Sequence, residues 1–249
     1  MPLPRITALT LNVTDPEKLA AFYCDIMGMR RSDEAGTVTV GYGGEGAKLE
    51  LVASPVATPY RHGRNDRYWK IAITVPDLDL AYEQLAARGI SVTPPGQFRD
   101  IAYMSHLADP EGHIIELIQH TFQGKPLTRK GNGTLPLGGG ARIGLITLRT
   151  DDIDAELVRC RDELGMSYLS RQDLPDLEFY LYFLAFATET PPQPDPNAVE
   201  NREWLWQRPY TVLEFQHRLQ GSINVTHRED KGAAAVKIDQ RGYVKTVLR

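Results

Sequence analysis

Apolar and polar positions along this chain change period in a fixed order. From Ile6 to Val13 they alternate and favour β-branched residues, the pattern of a half-buried strand. Leu19, Phe22, Tyr23 and Ile26 then recur at helical spacing and give one apolar face. Thr14 or Asp15 can cap that helix, Pro16 suits its first turn, and Gly28 closes it. The same order returns from Trp69 to Ile90 and from Gly144 to Met166. Self-similarity of this kind marks a repeated supersecondary unit.

Each unit continues as strands, so the unit reads β-α-β-β-β and the fold class as α+β. In the first, strands are expected near Thr37–Tyr42 and Lys48–Ala53, joined by a Gly-rich turn. In the second, Asp77 caps a helix carrying Leu78, Ala81, Tyr82 and Leu85. Strands Ile101–Leu107 and His113–Ile118 then meet at Asp109-Pro110-Glu111-Gly112, a hairpin signal. Residues 121–141 are rich in Gly and Pro and have linker chemistry. In the third, strands Phe179–Phe186 and Tyr210–His217 flank a Pro-rich, acidic excursion, which Trp204 and Trp206 could anchor. The organisation expected is a paired domain at 1–120, a linker at 121–141, and a second domain at 142–249.

Composition narrows the function classes. The 249-residue chain is 42% hydrophobic and 24% charged, with net charge −4, the profile of an ordinary globular protein. It has no basic run interleaved with aromatics, so nucleic acid is not an expected partner. No apolar stretch reaches the roughly 20 residues a membrane span needs. The N-terminus has no charged n-region and no cleavage site, and a cytoplasmic protein is expected. Cys24 and Cys160 read as small apolar thiols rather than a disulfide. No GxSxG, CxxC, P-loop or HExxH pattern occurs.

Paired units of this build resemble the vicinal oxygen chelate superfamily of glyoxalase I, extradiol dioxygenases and bleomycin-resistance proteins. Leu107–Gln119 (LADPEGHIIELIQ) is similar to that family's closing hairpin. Leu174–Phe186 followed by Arg208–His217 resembles glutathione-dependent glyoxalase I, and Gly232–Arg249 resembles the last two strands of a fourth unit. The resemblance implies tandem units forming cupped mixed sheets around a divalent metal. Its ligands would come from the first and last strands of each unit. The last-strand positions hold Glu50, Glu116 and Glu214, which become the candidate metal ligands. The first-strand positions hold Ala8, Lys70 and Leu145, and the fourth-unit glutamate position holds Thr246. A Lys ammonium donates hydrogen bonds and accepts none, so Lys70 competes with a metal for the carboxylates.

The resemblance thus places units one and two in one cup, with Glu50 and Glu116 inward and Lys70 within reach of one of them. These three are the candidate catalytic residues. Three readings stay open: a structural ion cluster or polar pocket floor, a metal completed by His106 or Tyr103, and a carboxylate tuned for proton transfer. Tyr103, His106 and Arg149 are the candidate substrate contacts, Arg149 because the resemblance places it on the glutamyl carboxylate of glutathione. His62, His113, His120 and His227 read as surface or loop residues. The functions implied are a lyase or isomerase of the glyoxalase I type, a metal-free small-molecule binding protein of the bleomycin-resistance type, and an extradiol dioxygenase. The third unit has no complete partner in sequence. A homodimer is therefore expected to cover its apolar sheet, with Trp204 and Trp206 as interface candidates.

Overall fold

The computed structural model describes residues 4–33, 36–53, 60, 61, 63, 66–219, 233–240 and 243–248. Unit one comprises β1 (Arg5–Val13), α1 (Pro16–Asp25), β2 (Arg30–Arg31), β3 (Val38–Gly41) and β4 (Lys48–Ala53). Unit two comprises β5 (Tyr68–Val75), α2 (Leu78–Ala87), β6 (Gly96–Phe98), β7 (Ala102–Ala108) and β8 (Ile114–Gln119). Unit three comprises β9 (Arg142–Thr150), α3 (Ile153–Leu157), β10 (Ser167–Leu174), β11 (Phe179–Ala185), α4 (Glu200–Trp206) and β12 (Val212–Arg218). After α3 the chain widens into π-helical turns from Val158 to Glu163. The tail supplies β13 (Ala233–Gln240) and β14 (Tyr243–Leu248).

Local chemistry sets the element ends. Asp15, not Thr14, caps α1 by accepting from the Lys18 N–H at 3.0 Å. Thr14 instead gives its N–H to Glu111 of the hairpin turn, tying unit one to unit two. Asp77 caps α2 and Asp152 caps α3 in the same way. The turn before β8 needs Gly112, whose φ is +96° and where a Cβ would meet the Tyr60 carbonyl oxygen at 2.2 Å.

The strands combine differently from expectation. Units two and three share an eight-stranded sheet in the order β10-β11-β12-β9-β5-β8-β7-β6. Unit one pairs with the tail in a six-stranded sheet, β14-β13-β1-β4-β3-β2. The joint between units two and three is the antiparallel pair β5·β9, with Ile71 opposite Ile146 and Ala72 opposite Leu145. Both strands are buried along nearly their whole length, as interior strands with cover on both faces must be. Residues 121–141 therefore do not separate two paired sheets; they connect two halves of one. Nor are they a free linker. Gln84 of α2 donates to the carbonyls of Gly133 and Leu135, and Leu137 is buried.

Alternation splits the eight-stranded sheet into two faces. Ile71, Ile73, Ile146, Leu148, Leu213 and Phe215 join the large core with the helices and the six-stranded sheet. Ala72, Leu145, Phe183, Val212 and Trp206 belong to a second apolar cluster on the other face. The third unit finds its mate inside the chain, through the β5·β9 pair. Trp206 is buried, donates to the Ile101 carbonyl at 3.1 Å, and packs edge-on against Phe183 at 5.7 Å. It anchors α4 to the fold rather than offering an interface. Both cysteines are free thiols, Cys160 buried and Cys24 partly so. Among the described residues no helix is long and apolar enough to cross a membrane.

Two histidines expected at the surface are interior. His113 is 1% exposed, stacks on Tyr60 at 4.9 Å, and hydrogen-bonds Asp109, which also accepts from Tyr23. His120 is 4% exposed, with Nδ1 on Thr128 at 2.9 Å. Both follow or precede β8, whose burial carries its flanks inward. His62 and His227 lie outside the described residues. Burial, with Arg142 and Arg129 nearby, pushes the His120 imidazole down to about 4.

The β5·β9 joint has a tight point. A Cβ on Gly144 would lie 2.5 Å from the Thr74 methyl, at a register shift between the two strands. Gly144→Ala is expected to cost about 1–3 kcal/mol by overpacking, and Thr74→Ala in the same chain to recover part of it. Urea unfolding of the single and double variants measures both. His120 gives a pH signature. Its folded pKa lies below the unfolded value, so its contribution is present above about pH 6.5 and lost as pH falls toward 4, amounting to about 3 kcal/mol at most. His120→Gln should flatten unfolding midpoints across that window.

Candidate functional site

The concave face of the eight-stranded sheet lines a half-open cup of about 190 Å³, room for a small molecule. Its walls are aromatic and aliphatic. Phe179 and Phe183 come from β11, Trp206 from α4, Phe98 from β6, and Trp69 from β5. Five polar side chains also line it: Lys70, His106, Glu116, Gln172 and Glu214.

Strand register brings four of them together. Lys70 on β5 stands opposite Thr147 on β9, and Thr147 opposite Glu214 on β12. Glu116 on β8 stands opposite Ala72 on β5 and His106 on β7. The Lys70 ammonium lies 2.5 Å from Glu116 Oε1 and 4.5 Å above the Trp69 ring. His106 Nε2 is 3.0 Å from the same oxygen, and the Thr147 hydroxyl donates to Glu214 at 2.6 Å. Lys70, Glu116 and Glu214 are each at most 5% exposed.

The two carboxyls are tuned apart. Burial alone would raise Glu116, but the Lys70 charge and the His106 bond overcome it and hold the group at about 2. Glu214 is also buried, is close to the Glu116 charge, and has only partial relief from Lys70 and Thr147, so its carboxyl is pushed up. Acid–base sites are built from such split pairs.

The expected site is thus half retained. Lys70 reaches Glu116 as anticipated, and Glu214 joins them. Glu50 does not. It lies on the six-stranded sheet, where it accepts from Thr10 at 2.7 Å and pairs with Lys237 at 2.7 Å. The reason is strand pairing: unit one joins the tail strands rather than unit two, so Glu50 and Glu116 stand on different sheets. Tyr103 points away from His106, as alternation requires, and its hydroxyl donates to Asp79 on α2 at 2.6 Å. Arg149 is not a lining residue. Its Nε donates to Gln216 at 2.9 Å, Nη1 donates to the Gly63 carbonyl, and its guanidinium stacks 4.8 Å over Trp69. Gln172, Trp206 and Phe183 were not anticipated in a site. Gln172 could have been found from β10, where Ser170, Gln172 and Leu174 share one buried face and the middle residue is polar.

These residues do not fit a divalent metal. Of the four ligand positions implied for this cup, two are carboxylates, one is Leu145, and one is Lys70, whose ammonium rests on a Glu116 oxygen. An ammonium cannot ligate and repels a cation at the same place. Among the described residues no group of three or more His, Cys, Asp or Glu is placed to hold a metal ion.

Cupped sheets built from β-α-β-β-β units, with an apolar cup and a carboxylate floor, define a structural class. Comparison with known proteins is consistent with that class. The model of the Glyoxalase/Bleomycin resistance protein/Dioxygenase superfamily matches residues 5–117. A probable lactoylglutathione lyase of Vibrio cholerae is 33% identical over 127 residues, covering 47% of this chain and 91% of the relative. Lactoylglutathione lyase GLX1 of Arabidopsis thaliana is 22% identical over 196 residues, covering 74% of this chain and 63% of the relative. Glyoxalase I from Zea mays superposes with a TM-score of 0.67 at 21% identity, covering 94% of this chain and 74% of that one. The chain belongs to the Glyoxalase/Bleomycin resistance protein/Dioxygenase superfamily.

Breaking the buried pair should expose its strength. Lys70→Met strands Glu116 and is expected to cost about 3–5 kcal/mol at pH 7. In the native chain the Glu116 contribution is present above about pH 4.5 and lost as pH falls toward 2, because its folded pKa is depressed. In the variant the carboxyl is buried without its ammonium, so the deficit should shrink as acid protonates it. Urea midpoints at pH 7 and pH 4 report the difference.

Proposed function

We propose that this chain is an isomerase or lyase of the lactoylglutathione-lyase-like kind that moves a proton on a small carbonyl compound without a divalent metal. The observation that carries the reading is a buried Lys70–Glu116 ion pair with a second buried carboxyl, Glu214, lining the same apolar-walled cup. Lys70 supplies fixed positive charge where a carbonyl oxygen would sit. Glu116 is too weak a base at about 2 and acts by holding the ammonium in place. Glu214, its carboxyl pushed up by burial, takes the C–H proton of an α-hydroxy carbonyl substrate, and the electron pair moves to the oxygen facing Lys70. Glu214 returns the proton to the neighbouring carbon while the hydroxyl proton passes to the former carbonyl oxygen. Nothing is oxidised or reduced overall.

The relatives named as lactoylglutathione lyases support this class of reaction. Arg149, assigned by resemblance to a glutathione carboxylate, is committed to Gln216 and Gly63. The substrate is therefore read as a compact molecule with an apolar substituent that fills the aromatic walls. Those walls also favour a second reading, a binding or sequestering protein that holds such a molecule unchanged.

Proton exchange separates the two. The chelator-treated protein is incubated in deuterium oxide with 2-hydroxyacetophenone, and loss of the hydroxymethyl proton signal is followed by NMR. Catalysed exchange is expected, with Glu214→Gln slowing it about 100-fold. Binding without exchange would leave the sequestering reading. Exchange that appears only on adding zinc or nickel would overturn the metal-free mechanism.

A further inference from the structure

Among the described residues, Gln172 is the one polar side chain lining the cup without a hydrogen-bond partner. Its side chain is fully buried, at 0% exposure, and lines the cup from β10. Among the described residues neither its Nε2 nor its Oε1 has a hydrogen-bond partner. The other polar lining groups are engaged: Lys70 and His106 on Glu116, and Thr147 on Glu214. A buried amide left unpaired costs about 1–3 kcal/mol, so native chains seldom keep one without use.

The position of Gln172 fits a recognition role. It pairs in register with Leu181 on β11, next to the inward-facing Phe179 and Phe183. Strands β11, β12 and β9 separate β10 from β5, so the amide and Lys70 stand on opposite walls of the cup. A carboxamide presents an N–H donor and a carbonyl acceptor side by side. Its complement is a group carrying the same two functions in the reverse order. The aromatic walls between the two ends ask for a flat ring.

We infer that the cup selects a planar ring compound bearing a cis-amide edge, a lactam or imide, read by Gln172 through two antiparallel hydrogen bonds. This rests on the cup being a ligand site, whether or not the ligand is then converted. A site built to pair a substrate N–H and C=O rejects an analogue that lacks one of them, because its own buried group is then left stranded.

The test compares 2-quinolinone with N-methyl-2-quinolinone, which keeps the ring and carbonyl but blocks the N–H. Binding is read from the fluorescence of Trp69 and Trp206, both in the cup wall, with naphthalene as an apolar control. The native chain is expected to bind 2-quinolinone at least 10-fold more tightly than its N-methyl form. Gln172→Leu should erase that preference while keeping affinity for naphthalene. Its ligand-free melting temperature should equal or exceed the native one, since an unsatisfied amide has been removed. Equal affinities in the native chain, or a preference that survives in Gln172→Leu, would overturn the inference. Binding of naphthalene with neither quinolinone would overturn the cis-amide edge and leave the cup a ligand site. Failure of all three to bind would remove both, whereas the deuterium-exchange result bears on conversion alone.

Discussion

The antiparallel pairing of β5 with β9 is the contact on which the rest of the molecule depends. It fuses units two and three into one curved sheet and creates the concave face that no single unit has. Their outer edges are occupied by β8 and β12, each in parallel register with its own unit's first strand. Four strands from two units thereby place Lys70, Thr147, Glu116 and Glu214 in neighbouring positions. The close approach at Gly144 and Thr74 makes that joint sterically demanding.

The second consequence is electrostatic. On the concave face a Lys and two carboxylates share an apolar wall where water screens little, so each charge governs the next. Glu116 takes the ammonium and the imidazole and stays ionised, while Glu214 has a hydroxyl and bears its neighbour's charge. The six-stranded sheet repeats part of this device with Thr10, Glu50 and Lys237. There Glu50 and Lys237 are more exposed, with side chains 16% and 29% accessible. One sheet holds a partly exposed ion pair and the other a buried one. The difference comes from cover: β11 and α4 carry Phe179, Phe183 and Trp206 over the second cup.

Much of the local structure was legible in the residues. Period and capping chemistry located α1 and α2 with their Asp caps. The Asp-Pro-Glu-Gly turn located the β7–β8 hairpin, and β4 falls at the expected limits. The chain was less informative where a residue's fate depends on distant cover. His113 and His120 flank a short strand and read as surface residues, yet tertiary packing buries both. Strand β10, in the polar stretch SYLSRQDL, is stabilised by pairing with β11 rather than by its own propensity.

By itself the sequence determined the repeated unit, which follows from short-range periodicity, and through motif residues at fixed places it carried the resemblance to the superfamily. It also determined that a Lys would meet a Glu, since Lys70 and Glu116 lie in adjacent strands of one unit. Only the tertiary structure decided which units share a sheet. Three similar first strands offer nearly equivalent edges, and pattern alone does not say which pair will form. That choice separated Glu50 from Glu116, brought Glu214 to Lys70, and buried the Gln172 amide in the cup with no partner among the described residues, all through contacts between residues far apart in the chain.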